Sequence, residues 1–490
     1  MEMKKILPLS LLVLSLLWTS CERYLGQAPD QRTQINTPDK VGKLLVNAYP
    51  GGNYMLFAEA MSDNVSDNYL EGRADVINTD AYFWRDIRSI SRDSPANYWN
   101  EAYKAIAVAN HALRAIEENG DGSEYQAWKG EALVARAYAH FMLVNLFSKH
   151  YDPNTAAQDL GVPYVTEPET EVYKQYERHT VAYVYEQIEK DLLEGIALIK
   201  DDAYTIPPFH FTKKAARAFA CRFYLFWNKP DAAIEQANLA FPEGSLGDYL
   251  RPWIDKYRNI SYDELSVEYT KATEKANLLL VETQSWWGSR WRNYRYSTSV
   301  DLRNQIFGLS IYPNITGGEL VYVTGQVGLI SYYVRKFTYF FSRIGGSSGT
   351  TGYGYTVIPA LTAEELLFNR AEAYSQLQDY DKALADINLF ISRRVMEYDP
   401  DVHNLSLEKA RDYYDESDNT QALIHAILDL KRPEFIHEGM RWFDIRRHKL
   451  EVVHEDRNGG VHTLKPDDLR KVLQLPEEVL NDPSIEPNPR

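Results

Sequence analysis

The densest group of side chains able to engage a ligand is WWGSRWRNYRY, which sets Trp286, Trp287, Trp291, Tyr294 and Tyr296 among Arg290, Arg292 and Arg295. Aromatic rings offer flat apolar faces, and guanidinium groups offer several hydrogen-bond donors that stay charged at physiological pH. Three arginines in one short run are not buried without partners, so part of this segment is expected at the surface. Residues 286–355 hold 16 aromatic residues in 70 positions against 13% for the whole chain, which suits a binding platform; ordinary strand packing is the other reading. A second cluster, Tyr82-Phe83-Trp84 followed by Arg85, comes shortly after the polar run SDNVSDN. In that run Asp63, Asn64, Asp67 and Asn68 carry oxygens suited to a cation or a polar ligand, but the spacing and glycine of an EF-hand are missing. A capped polar loop is the simpler reading, with Asp67 and Asn68 as candidate contacts.

Motifs for catalysis are absent or broken. IHEGM begins like the zinc motif HExxH, but the position four after His437 is Arg441, so the second metal ligand is missing. Gly345-Gly346-Ser347-Ser348-Gly349 fits G-x-S-x-G literally, yet its neighbours are glycine, serine and threonine rather than the strand and helix that would present a nucleophile. No phosphate-binding P-loop occurs, and no Cys/His cluster has metal spacing. Paired carboxylates of a glycosidase are spatial and leave no sequence mark. The expectation is a binding protein with no cofactor and no metal.

These candidates need a scaffold, and the scaffold reads as helical. In NYWNEAYKAIAVANHALRAIEE, the residues Trp99, Tyr103, Ile106, Ala109, Leu113 and Ile116 recur every three or four positions. ENGDGSE interrupts the pattern, and further helices are expected in YQAWKGEALVARAYAHFMLVNLF and HTVAYVYEQIEKDLLEGIALI. AARAFACRFYLFWNKPDAAIEQANLAF and LLFNRAEAYSQLQDYDKALADINLFI align at a shift of 150 residues, with Tyr224 on Tyr374, Asp231 on Asp381, Ala233 on Ala383 and Asn238 on Asn388. Each is a helix–turn–helix of tetratricopeptide type. Such pairs stack because one pair alone cannot bury its apolar face. The fold class is therefore mainly α: a tetratricopeptide-like helix-pair scaffold carrying a long loop- and β-rich insertion. Its parts are a helical half at about 40–241, the aromatic insertion at about 242–360, and a helix pair with a tail at about 361–490. Within the insertion, NLLLVETQ, ELVYVTG and LISYYVRKFTYFF have strand composition, and IGGSSGTTGYGY reads as a loop. An insertion this long inside a compact protein is usually functional.

The N-terminus carries two lysines and then ILPLSLLVLSLLW, the pattern of a secretory leader and too short for a membrane span of about 20 residues. Leu17-Trp18-Thr19-Ser20-Cys21 resembles a bacterial lipobox, which makes residues 1–20 a signal peptide and Cys21 the acylated first residue of a mature domain spanning 21–490. Cys221, the other cysteine, sits in a helical run and reads as a small buried hydrophobe. A formal net charge of −16 with no basic tract argues against nucleic acid as a partner.

LKRPEFIHEGMRWFDIRRHKL resembles the C-terminal signature of the SusD/RagB family, the surface nutrient-binding lipoproteins of Bacteroidetes, through Arg432, Glu434, Glu438, Gly439, Arg441, Trp442, Asp444, Arg446 and Arg447. The resemblance extends to the lipobox, the early helices and the helix pairs. Read on a helix, Glu434 and Glu438 share a side, Arg441 falls three residues beyond Glu438 within pairing reach, and Phe435, Trp442 and Ile445 form an apolar face, so the motif is expected to be structural. The resemblance implies a lipid-anchored protein at the outer face of the outer membrane, with a SusC-like TonB-dependent β-barrel transporter as partner. It also implies an oligosaccharide ligand. Sugar C–H faces would pack on Trp286, Trp287, Trp291, Tyr294, Tyr296, Tyr82 and Trp84, while Arg290, Asp67 and Asn68 meet hydroxyls. A peptide ligand on the same scaffold, and a docking scaffold without a small ligand, are the alternatives.

Overall fold

The computed structural model describes residues 35–69, 73–169, 175–242, 244–290, 293–309, 311–327, 331–344 and 351–490. The leader, Cys21, Trp291, Arg292 and the stretch 345–349 lie outside the described residues. No helix among the described residues is long and apolar enough to cross a membrane.

Short helices α1 (Pro38–Leu45), α2 (Met55–Ala60) and α3 (Val76–Tyr82), with the two-residue strand β1 (Ser66–Asp67), lead into three long helices, α4 (Pro95–Glu118), α5 (Gln126–Phe147) and α6 (Val181–Leu198). Their starts follow from the sequence. The Ser94 and Thr180 side chains accept the N–H groups of Asn97 and Tyr183, and Pro95 sits in the first turn of α4. Helix α5 is apolar on nearly every side and is buried accordingly. Its two charged interior groups are matched. Arg136 donates to Asp191 at 2.7 Å from both Nε and Nη2, and Glu131 accepts the Tyr49 hydroxyl at 2.7 Å.

Next comes α7 (Lys213–Phe226) with α8 (Pro230–Ala240), and then the insertion. It contains α9 (Tyr262–Tyr269), β2 (Asn277–Thr283), α10 (Trp287–Arg290), β3 (Tyr296–Ser297), α11 (Val300–Phe307), β4 (Gly325–Val327), β5 (Ser331–Tyr333), β6 (Tyr339–Arg343) and β7 (Gly352–Thr362). The chain closes through α12 (Ala363–Gln376), α13 (Tyr380–Ser392), α14 (Pro400–His403), α15 (Leu407–Tyr414), α16 (Asn419–Glu434), α17 (Met440–Arg447), the hairpin β8 (Val452–Glu455) and β9 (Val461–Leu464), and α18 (Glu477–Leu480). The pairs α7–α8 and α12–α13 are copies down to their turns. Asn228 and Gln378, 150 residues apart, both adopt left-handed φ (57° and 61°), and the next residue in each case donates to the carbonyl of Tyr224 or Tyr374 (2.8 and 2.9 Å). Helices α8 and α12 pack on one another and bring the two copies together.

Two expectations for the insertion need correction. ELVYVTG is mostly not a strand: it is pinned to the end of α13, with Val321 N–H on the Arg394 carbonyl (2.9 Å) and Met396 N–H on the Glu319 carbonyl (2.9 Å). The end of the glycine-rich run is not all loop, because Gly352 begins β7, the central strand of an antiparallel sheet ordered β2-β7-β6.

The insertion is tied back by a buried ionic network. Arg394 donates from Nε to Glu434 (2.6 Å) and from Nη2 to Glu364 (3.0 Å) and Glu434 (3.1 Å). The Tyr322 hydroxyl also donates to Glu434. Lys336 Nζ and the Tyr269 hydroxyl donate to Glu438, each at 2.8 Å. Insertion, repeat and tail therefore meet at fully buried charges. The signature tail is structural as expected, with Phe435, Trp442 and Ile445 in the core, but its charges do not pair along one helix. Helix α16 stops at Glu434, and Gly439 takes φ 70° before α17; a Cβ there would stand 3.2 Å from the Met55 backbone. Arg441 therefore turns away from Glu438 and grips Asp63 at 2.8 and 2.9 Å.

Candidate functional site

Strands β6 and β7 form an aromatic hairpin. Directly opposed residues share a face, so Tyr339, Phe341 and Arg343 lie with Thr356, Gly354 and Gly352 on one side, and Phe340 and Ser342 lie with Tyr355 and Tyr353 on the other. The bare glycines leave room for rings: a Cβ at Gly354 would stand 2.9 Å from the Trp286 ring and 3.0 Å from that of Tyr339. Ser285 and Gly288 seat the segment on β7, donating their N–H groups to the Gly354 carbonyl and the Thr356 hydroxyl at 3.0 Å each. The Trp286 N–H is held by Asp93 at 3.0 Å, and the Ser285 hydroxyl donates to the other Asp93 oxygen. Trp286 is thus fixed, half-buried, beside Phe341 (ring centres 5.9 Å apart), and the Arg290 guanidinium lies 4.3 Å from its ring centre. Arg290 has no carboxylate partner among the described residues, so its donors remain available.

Phe340, Phe341 and Tyr353 are exposed to about 40% although they are large apolar or amphipathic groups, the informative kind of exposure. On the second face Arg92 lies 4.6 Å from the Tyr353 ring centre and donates to Gln284 at 3.1 Å. A cleft of about 790 Å³ opens beside Tyr355 and Gln284, walled by Trp128, Glu101, Tyr204 and Glu282. Sequence reasoning did not single out these hairpin residues. The available signal was TGYGY, where glycine alternates with tyrosine at strand period and leaves one face bare.

Most of the expected contacts have other work. Trp287, adjacent to Trp286, is buried, and its indole N–H donates to the His437 carbonyl at 3.0 Å. Tyr294 is buried against it, with ring centres 6.1 Å apart. Tyr82 is sandwiched between Tyr296 and His454 at 4.0 Å each, and Trp84 covers the outer side of His454 at 4.5 Å. The Trp84 indole N–H donates to the Met61 carbonyl at 2.9 Å. With their faces covered by protein, Tyr82, Trp84, Trp287, Tyr294 and Tyr296 do not form an exposed platform. Asp67 is held by Arg295 at 2.6 Å through both oxygens, and Asn68 donates to Ser297, so neither is an open polar contact. Asp63 and Asp67, each gripped by arginine, also leave no free carboxylate for a cation.

Asp93, which positions Trp286, titrates in an accessible range. Burial pushes its carboxyl from 3.8 up to about 6, against the Ser285 and Trp286 hydrogen bonds. Between these values the folded protein holds a proton that the unfolded chain has released, so this group makes stability fall as pH rises through the window. Asp93→Asn is expected to remove that slope, worth up to about 1.4 kcal/mol per pH unit. Urea titrations at about pH 4.5 and 6 compare the two proteins; equal pH dependence would show that Asp93 does not titrate there.

Helix pairs with one large excursion, closed by a helix–turn–helix tail, define the class of protein. A SusD superfamily protein from Bacteroides thetaiotaomicron is similar over 93% of this chain and 100% of its own, with a TM-score of 0.65 at 21% identity. One from Bacteroides fragilis covers 92% and 100%, with a TM-score of 0.67 at 21% identity. A SusD-like carbohydrate binding protein from Bacteroides vulgatus covers 88% and 89%, with a TM-score of 0.63 at 17% identity. Residues 23–225 match the family described as starch-binding associating with outer membrane, and residues 324–478 match the SusD family itself. The chain belongs to the SusD/RagB family. Among curated proteins, a DnaJ homolog subfamily C member 3 homolog from Dictyostelium discoideum is 30% identical over 146 residues, and the chain spans only 27% of that relative's length.

Proposed function

We propose that the protein is a surface lipoprotein that captures oligosaccharide and passes it to a TonB-dependent β-barrel transporter. In this reading the leader 1–20 is removed and Cys21 is acylated. Residues 21–490 then act as one unit anchored to the outer membrane and facing outward. The observation that carries the ligand class is the exposed aromatic hairpin with the Arg290 guanidinium, which has no carboxylate partner among the described residues, beside it. A sugar's C–H face packs on Phe341 and the open rim of Trp286, and Arg290 donates to its hydroxyls; Tyr353 and Arg92 offer a similar pairing on the other face. The description of the matching family and the carbohydrate-binding relative support this assignment. The work is capture and release without bond chemistry, for which a dissociation constant between millimolar and micromolar, about −4 to −8 kcal/mol, is sufficient.

A second reading has its own observation. The outer edge of β6 is unpaired by any strand among the described residues, and an extended peptide would add there by main-chain hydrogen bonds. Native affinity electrophoresis of the detergent-solubilised protein against a panel of polysaccharides and peptide digests separates the two. Retardation by a glycan is the expected result, and binding of peptide with no glycan signal would replace the first reading by the second.

A further inference from the structure

Of the seven buried arginines among the described residues, four are held by carboxylates, and Arg251, whose guanidinium stays 3.9 Å from Glu364, donates to the Tyr269 carbonyl and to Asn277. Arg136, Arg222, Arg394 and Arg441 each grip an Asp or Glu. Arg178 lacks one but is saturated by other oxygens, donating to the carbonyls of Gly161 and Glu486 and to Asn488. Arg446 is different. It is 7% exposed, and among the described residues its one acceptor is the Ser148 carbonyl, which takes Nη2. Nε and Nη1 have no acceptor among the described residues, yet they are not sealed off, because Arg446 lines a cavity of about 680 Å³ between the end of α5, the end of α17 and the segment 466–472.

The rest of the cavity floor is also cationic. Arg447 and Lys471 are beside it, and His150 and His448 line the same wall. The most deeply buried carboxylate among them, Glu372, is taken by Arg447 and by His448 at 3.3 Å. Lys471 is 6% exposed and reaches only backbone carbonyls, those of Leu450 and Pro466 at 2.6 and 2.9 Å. The carboxylates at the rim are occupied: Asp159 by Lys149 and Thr155, Asp467 by Lys449, Asp468 by Arg470, and Asp152 by Asn154. Burial lowers Arg446 to about 10, and it lowers Lys471 to about 8 against the pull of Asp467, Asp468 and Glu451.

We propose that this cavity is a binding site for a compact oxyanion, seated on the free donors of Arg446 with Lys471 and Arg447 behind. Carboxylate, sulfate and phosphate groups each present two or more oxygens to a guanidinium fork. The cavity is larger than a bare ion, so the group can arrive free or as the acid substituent of a sugar. This site is built from residues separate from the aromatic hairpin and stands independently of the glycan reading.

Calorimetric titration of the full-length protein in detergent, at constant ionic strength, with inorganic phosphate, sulfate, glucuronate and neutral glucose tests it. Saturable binding of at least one anion, none of glucose, and at least tenfold weaker binding in Arg446→Gln are expected. Tighter binding of glucuronate than of phosphate and sulfate would assign the acid group of a sugar, and the reverse order a tetrahedral oxyanion. No saturable anion binding, or equal binding by the variant, overturns the proposal. Should the variant fail to fold, wild-type crystals soaked in selenate decide: an anomalous peak within hydrogen-bond distance of Arg446 is expected, and its absence overturns the site.

Discussion

Arg394→Met is expected to lower the stability of the protein by about 3–5 kcal/mol, because it leaves Glu364 and Glu434 buried without their shared cation. Neither carboxylate has a ready substitute. Lys336 is committed to Glu438 and to the Glu434 carbonyl, and Arg251 already gives Glu364 its backbone N–H at 2.6 Å while its guanidinium stays 3.9 Å away. The charge is also not the whole requirement. Arg394 meets both oxygens of Glu434 and one of Glu364 with a planar fork, which an ammonium group does not reproduce, so Arg394→Lys is expected to fall between wild type and Arg394→Met. Adding Glu434→Gln to Arg394→Met removes one stranded charge and is expected to recover part of the loss. Urea unfolding followed by circular dichroism measures all three. A loss below about 1 kcal/mol in Arg394→Met would place that network among the weakly contributing surface pairs.

The second large effect is expected at Asp63. Burial alone would raise its carboxyl, but Arg432 and Arg441 together hold it well below the usual carboxylate range. Asp63→Ala removes the acceptor of Arg441, whose Nη1 already lacks a partner, and is expected to cost about 2–4 kcal/mol at neutral pH, discounted because Asp63 is about a quarter exposed. The sign with pH follows from the depressed value. The contribution of Asp63 is complete above 3.8, its ordinary value, and is lost as pH falls below it towards the folded-state value. The difference between wild type and Asp63→Ala should therefore shrink on acidification below about pH 4. A difference that stays constant down to acid unfolding would mean that the Arg441–Asp63 pair contributes through shape alone.

The helical scaffold was legible because its signal is local. Period and turn chemistry are written in contiguous residues, and the repeat of Tyr224-Asp231-Ala233-Asn238 at a fixed shift reported the same turn, with Asn228 and Gln378 both left-handed. Strand composition was less informative. ELVYVTG has the residues of a strand, but its backbone groups are taken by the end of α13. Charge spacing in the tail failed for a definite reason: the i,i+3 argument for Glu438 and Arg441 assumes one helix, and Gly439 in IHEGM breaks it. That glycine was visible and would have supported the turn. The candidate site shows the limit most clearly. Composition located the aromatic segment, but exposure is decided by which groups satisfy the rings. Trp286 and Trp287 are neighbours of the same type; one reaches a hairpin face and the other points its N–H at the His437 carbonyl 150 residues away. Likewise Asp67 and Arg295 lie 228 residues apart, so nothing local announced that the polar loop was already neutralised.

The central claim is that a glycan is held on the face made by Trp286, Arg290 and Phe341. Calorimetric titration of the glycan retained in the electrophoresis panel into wild type, Trp286→Ala, Phe341→Ala and Tyr82→Phe tests this most directly. The account predicts at least a tenfold loss of affinity, about 1.4 kcal/mol, for each of the first two variants, and wild-type affinity for Tyr82→Phe, whose ring stays in its buried stack. Unchanged affinity in both Trp286→Ala and Phe341→Ala, with the proteins folded, would contradict it and move the ligand away from the hairpin.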